Sequence, residues 1–123
     1  MRKTWQWWER VTDFAPPVGF LLHPDAPLHD TGWRHPEHQG RLRALASTVG
    51  RDLLALHEKV VQVEPGRVTE EDLVRVHTPE YLALLRAHVD RAEKEGAPVP
   101  LDADTIVSGA SWAAATGSTA ALL

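Results

Sequence analysis

Imidazoles and carboxylates crowd one stretch of the sequence: His29-Asp30, then His35-Pro36-Glu37-His38. These are the side chains that bind metal ions and move protons, so the stretch could form a metal site of its own. Two features argue against that use. Pro36 holds His35 in extended backbone, so His35 and His38 need not share a helix face, and the chain has no cysteine to contribute a thiolate. Pro36 at the first position of a helix, with Glu37 beside its positive end, explains the same residues as a helix start. Arg41, four residues after Glu37, carries a planar cationic fork. It could pair with that carboxylate on the helix surface or bind a carboxylate or carbonyls in a partly buried site. Asp104, when ionised, is purely an acceptor: it could receive N–H groups from a ligand, or it could cap a turn or the next helix.

The elements that must carry these residues are legible from apolar patterning. Val18-Gly19-Phe20-Leu21-Leu22, bounded by Pro17 and Pro24, reads as a buried strand and is followed by a long loop. Leu42, Leu45, Ala46 and Val49 recur at helical spacing, predicting a helix from Pro36 to Gly50. Val60-Val61-Gln62-Val63 is β-branched and closed by Pro65-Gly66, so it is a second strand. Thr69 with Asp72 three residues later resembles a capping box, and Thr78-Pro79 starts a longer helix that fades near Gly96. The stretch from Ala97 to Asp104 reads as a connecting loop, after which Ser108 caps a helix through Trp112, Ala115 and Leu122. Strands alternating with helices indicate an α/β architecture with a parallel sheet. Two strands cannot bury both faces of such a sheet, and Ala120-Ala121-Leu122-Leu123 offers no Gly cap or polar tail, so the fold is expected to be incomplete and its last helix to stop in mid-course.

Composition narrows the classes. The 123 residues are 43% hydrophobic and 24% charged, without an apolar run that would span a bilayer, which fits one soluble domain. A net charge of -4 offers no basic stripe for phosphates, which disfavours direct nucleic-acid binding. The basic opening Met1-Arg2-Lys3 leads into Gln6, Glu9 and Arg10 and lacks a secretory apolar core, so a cytoplasmic location is expected. Without cysteine, disulfides and thiolate nucleophiles are excluded. Trp5, Trp7 and Trp8 form an aromatic cluster that could pack on the main body or make a homo-oligomer contact.

Three blocks, in order, resemble the opening of the histone deacetylase and acetylpolyamine amidohydrolase family, particularly its bacterial class II-like branch. The first is His29-Asp30-Thr31-Gly32 with His35-Pro36-Glu37-His38-Gln39-Gly40-Arg41-Leu42, similar to the family's first active-site loop and the helix after it. The second is Asp72-Leu73-Val74-Arg75-Val76-His77-Thr78-Pro79-Glu80-Tyr81-Leu82. The third is Asp102-Ala103-Asp104-Thr105, continuing through Ser108 and Ser111-Trp112 into an Ala-rich helix. The resemblance covers about Val18 to the end, leaving residues 1–17 as a Trp-rich extension and 18–123 as the N-terminal portion of a deacetylase-like domain; Trp33-Arg34 departs from the small residues expected there.

The resemblance implies an arginase/deacetylase-like α/β fold and zinc-dependent hydrolysis of N-acetyl amides, with acetylated lysine or polyamine as substrate. It also implies a zinc ion held by two Asp and one His, tandem His residues assisting proton transfer, and a Tyr that polarises the acyl oxygen. The chain has neither a His-His pair nor an Asp-x-His pair, so no catalytic residue and no metal ligand is assigned within it, and the segment alone is expected to be inactive. By resemblance, Asp104 is the rim aspartate that hydrogen-bonds the substrate backbone, and Arg41 lies beside an internal channel through which acetate could leave. His29 and Trp33 are expected to line the substrate entrance, because their long loop leaves the end of the first strand. His77 is expected to be packed or capping and Tyr81 to be core. The missing C-terminal part of the fold would be the completing partner. Two other readings remain: a non-catalytic helical binding or regulatory module, and a His-based metal-binding protein.

Overall fold

The computed structural model describes residues 17–53, 55–56 and 59–123; the Trp5, Trp7 and Trp8 cluster lies outside them. Strands β1 (Val18–Phe20) and β2 (Val60–Gln62) pair in parallel with Val18 opposite Val60 and Phe20 opposite Gln62, as α/β patterning predicts. The crossover contains a short 3-10 turn at Ala26–Leu28 and helix α1 (Gly40–Asp52). Then come α2 (Glu70–Val74), α3 (Pro79–Glu95), the two-residue strands β3 (Val99–Pro100) and β4 (Ile106–Val107), and α4 (Ser111–Ala120).

The start signals of α2 and α3 work as local chemistry demands. At α2 the Thr69 hydroxyl accepts from the Asp72 amide, while the Thr69 amide donates to the Asp72 carboxylate over 2.9 Å, a complete capping box. The Thr69 hydroxyl, which also donates to Asp72 Oδ2 at 2.7 Å, and then the Thr69 amide hold the Asp72 carboxyl below its usual range. At α3 the Thr78 hydroxyl accepts from the Tyr81 amide and Pro79 takes the first helical position. Gly96 closes α3 with a left-handed φ of 64°, a conformation that favours glycine.

The core lies between α3, the β3–β4 hairpin and α4. Val89, Ala92, Val99 and Val107 are buried there, with Leu85, Leu101 and Trp112 packed against them. Burying each valine contributes roughly 1.5 kcal/mol. Arg86 of α3 lies over the Trp112 ring, 4.2 Å from its centroid, and also pairs with Glu70 of α2, joining three helices through one guanidinium. On its other side α4 presents small residues to the 3-10 turn: Ala114, Gly117 and Ala120 are buried, as is Ala26.

Several expectations change. The first strand is not buried: Val18 is 67% exposed, because no described element covers that face of β1. The helix expected from Pro36 begins at Gly40, since the Glu37 carbonyl is taken by the Thr31 hydroxyl and the Glu37 amide by His35 Nδ1, so residues 36–39 stay irregular and bent. Helix α1 buries none of its residues. The stretch from Ala97 to Asp104 is not all loop, because Val99 pairs with Val107 and Pro100 with Ile106 in an antiparallel ladder. Ser108 does not cap α4, whose N-cap is Ala110, and the helix closes at Ala120, where Gly66 N–H takes the Ala120 carbonyl. Tyr81 is exposed and lies against the His77 ring, 5.4 Å between centroids, instead of entering the core; His77 is likewise exposed.

Candidate functional site

The loop from His29 to Gln39 and the loop from Leu101 to Thr105 are far apart in sequence and are brought together by α4 and the hairpin. The first loop is tied down at its start. His29 Nδ1 lies 2.7 Å from the Ser111 hydroxyl, and the Asp30 amide donates to Ser108 Oγ over 3.1 Å. Ser111 Oγ in turn accepts from the Ser108 amide at 2.7 Å, so two buried serines at the start of α4 hold two consecutive loop residues. Burial pushes the His29 imidazole below its ordinary value, more than the Glu37 and Asp30 carboxylates raise it.

The loop then turns on itself. Asp30 Oδ1 accepts from the Gly32 amide at 2.8 Å, and Gly32 adopts φ 83°, which glycine tolerates without strain. Trp33 is 67% exposed and rests against the His38 ring, 5.2 Å between centroids. Arg41 forms a surface pair with Glu37: its Nε donates to Glu37 Oε1 over 3.0 Å, and its Nη2 reaches the same oxygen. That hydrogen bond is the main reason the Glu37 carboxyl sits below its usual range.

The second loop places its two aspartates in different roles. Asp102 Oδ1 accepts from the amides of Asp104, at 2.9 Å, and Thr105, at 2.7 Å, which folds the turn and lowers the Asp102 carboxyl, the Asp104 amide first. The turn-capping duty therefore falls to Asp102. The Asp104 side chain is 100% exposed, with His35 Nε2 at 3.8 Å from its Oδ1 and at 3.3 Å from its backbone carbonyl.

A histone deacetylase domain is matched over residues 35–123, most of the chain. The chain belongs to the histone deacetylase family. The mixture of strands and helices around a small parallel pair is that of a deacetylase-like α/β fold, as the sequence resemblance implies. A protein of Archaeoglobus fulgidus described as a probable deacetylase is 27% identical over 85 residues, covering 69% of this chain and 23% of that relative. The chain thus spans less than a quarter of the length of this deacetylase relative.

Among the described residues of this member of the histone deacetylase family, no group of three or more His, Cys, Asp or Glu side chains converges as a metal site requires. The described residues do not offer a ligand set for the zinc that the family implies. Of the four expected site residues, Asp104 is presented to solvent and Trp33 stands on the surface of the first loop. His29 is turned toward α4 as a tether, and Arg41 is in its helix-surface pairing with Glu37. Sequence reasoning missed Ser108 and Ser111 as loop anchors, His35 as a neighbour of Asp104, and Asp102 as the turn former. Only the last had a local signal: an Asp two and three residues before the amides it accepts.

Proposed function

We propose that this segment forms one wall of the substrate entrance in a zinc-dependent deacetylase that hydrolyses the N-acetyl amide of an acetylated lysine or polyamine. The observation that carries the reading is the split between the two aspartates: Asp102 folds the turn, leaving the Asp104 carboxylate fully exposed and without a hydrogen bond from the described residues. An ionised carboxylate held on a braced backbone is suited to accept N–H groups from a substrate main chain. Family membership supports the reaction class; zinc and its ligands would come from residues other than those described here. Trp33 and His29 would border the entrance, the former by contact and the latter by fixing the loop. Arg41 would face the internal channel once released from Glu37, its planar fork suited to the acetate carboxylate.

Asp104 is the test. In the full-length protein acting on an N-acetyl-lysine peptide, Asp104→Ala is expected to lower kcat/KM by roughly 30- to 1,000-fold with bound metal unchanged, and Asp104→Asn to recover only part of the loss. Full activity in Asp104→Ala would defeat the assignment.

A further inference from the structure

We infer that His35 is a positioning residue for Asp104, bracing the rim loop from the first loop; this rests on the substrate-binding role proposed for Asp104. The two imidazole nitrogens have different partners. On one side, Nδ1 accepts from the Glu37 amide at 3.2 Å, a backbone N–H that can only donate. Nδ1 also lies 3.4 Å from the Glu37 carbonyl, which already accepts from the Thr31 hydroxyl; with the shorter amide contact made, Nδ1 accepts and the ring proton sits on Nε2, free to donate. On the other side, Nε2 faces the Asp104 carbonyl at 3.3 Å, the acceptor that the Nε2–H tautomer needs, with Asp104 Oδ1 3.8 Å away.

The ring itself is fixed. Its side chain is 19% exposed, against complete exposure for Asp104, and its backbone amide donates to the Gly32 carbonyl at 3.1 Å. Glu37, which supplies the Nδ1 contact, is held in turn by the Thr31 hydroxyl on its carbonyl and by Arg41 on its carboxylate. The chain of contacts therefore runs from buried Thr31 through Glu37 and His35 to the Asp104 backbone. From within its own loop, Asp102 holds the Asp104 amide, so the Asp104 peptide groups are gripped from both sides while the carboxylate remains free. A small displacement of such a group costs rate because the substrate is then misaligned.

The test is a double-variant cycle in the full-length protein with an N-acetyl-lysine peptide. His35→Phe is expected to raise KM and lower kcat/KM about 10-fold. His35→Gln, whose amide N–H can reach the position of Nε2–H, is expected to restore most of that loss, and His35→Phe added to Asp104→Ala to have no further effect. Amide hydrogen exchange supplies a readout free of activity: Asp104 and Thr105 should exchange about fivefold faster in His35→Phe than in wild type or His35→Gln. Equal exchange rates, or additive losses in the double variant, would overturn the positioning role. A silent Asp104→Ala would instead sink the substrate-binding reading beneath it, whereas a large loss in Asp104→Ala beside full activity in His35→Phe would remove His35 alone.

Discussion

At the scale of single residues, His29 and Ser111 illustrate how a polar side chain becomes a tether. The imidazole is partly buried against the start of α4, and that burial lowers its affinity for a proton. The unfolded chain therefore takes up the proton near the ordinary value of 6.5 before the folded chain does. Stability from this group is complete above that pH and declines as the pH falls through the lowered folded-state value. Urea unfolding across that range is expected to show the decline in wild type and a shallower one in His29→Asn, whose amide keeps a hydrogen bond to Ser111 but does not titrate. Identical pH dependence in the two proteins would count against the tether. Asp102 and Asp104 make a second contrast at this scale: identical side chains two residues apart, one consumed by the turn and the other fully exposed.

At the scale of elements, the short α2 depends on its cap more than on its length, since a five-residue helix has little intrinsic stability. Thr69→Ala should destabilise the protein by about 1 kcal/mol, read from chemical denaturation, with Thr69→Ser nearly neutral. Helix α4 depends instead on close approach. A Cβ at Gly117 would come within 2.3 Å of His23 Nδ1, so the His23 ring and the 3-10 turn would have to move. Alanine normally favours a helix over glycine by about 1 kcal/mol. Here the clash dominates, and Gly117→Ala is expected to lower stability by about 1–3 kcal/mol. Restored stability in Gly117→Ala combined with His23→Ala would confirm the cause, and a stabilised single variant would refute it.

At the scale of the whole molecule, the core around Val89, Ala92, Val99 and Val107 is covered, whereas the strand pair and the residues just after each strand carry exposed apolar side chains at Val18, Leu21, Val61 and Val63. Exposed strand edges and apolar faces invite association. The 123-residue chain alone is therefore expected to self-associate, with sedimentation velocity showing concentration-dependent species above monomer. A strictly monomeric sample that unfolds cooperatively would argue that these faces are tolerated in water. Among the described residues no helix is long and apolar enough to cross a membrane.

Which features are legible in the sequence follows from the range of the forces involved. The Thr69-Asp72 capping box, Thr78-Pro79 at the start of α3, Gly96 at its end and the parallel β1–β2 pair rest on local stereochemistry or apolar periodicity, and the sequence determined them by itself. The motifs His35-to-Leu42, Asp72-to-Leu82 and Asp102-to-Thr105, which all lie within the matched residues 35–123, likewise marked the family. Other features were decided only by tertiary structure. The start of α1 at Gly40 depends on Thr31 and His35 capturing the backbone of Glu37, and the exposure of β1 depends on what lies over it. The β3–β4 ladder is two residues per strand, too short for a periodic signal, and its pairing joins residues across a turn that Asp102 folds. The site itself joins His29 to Ser111 and His35 to Asp104, contacts that span 82 and 69 residues. No local pattern encodes such pairs, because they exist only after helix packing has closed the intervening chain.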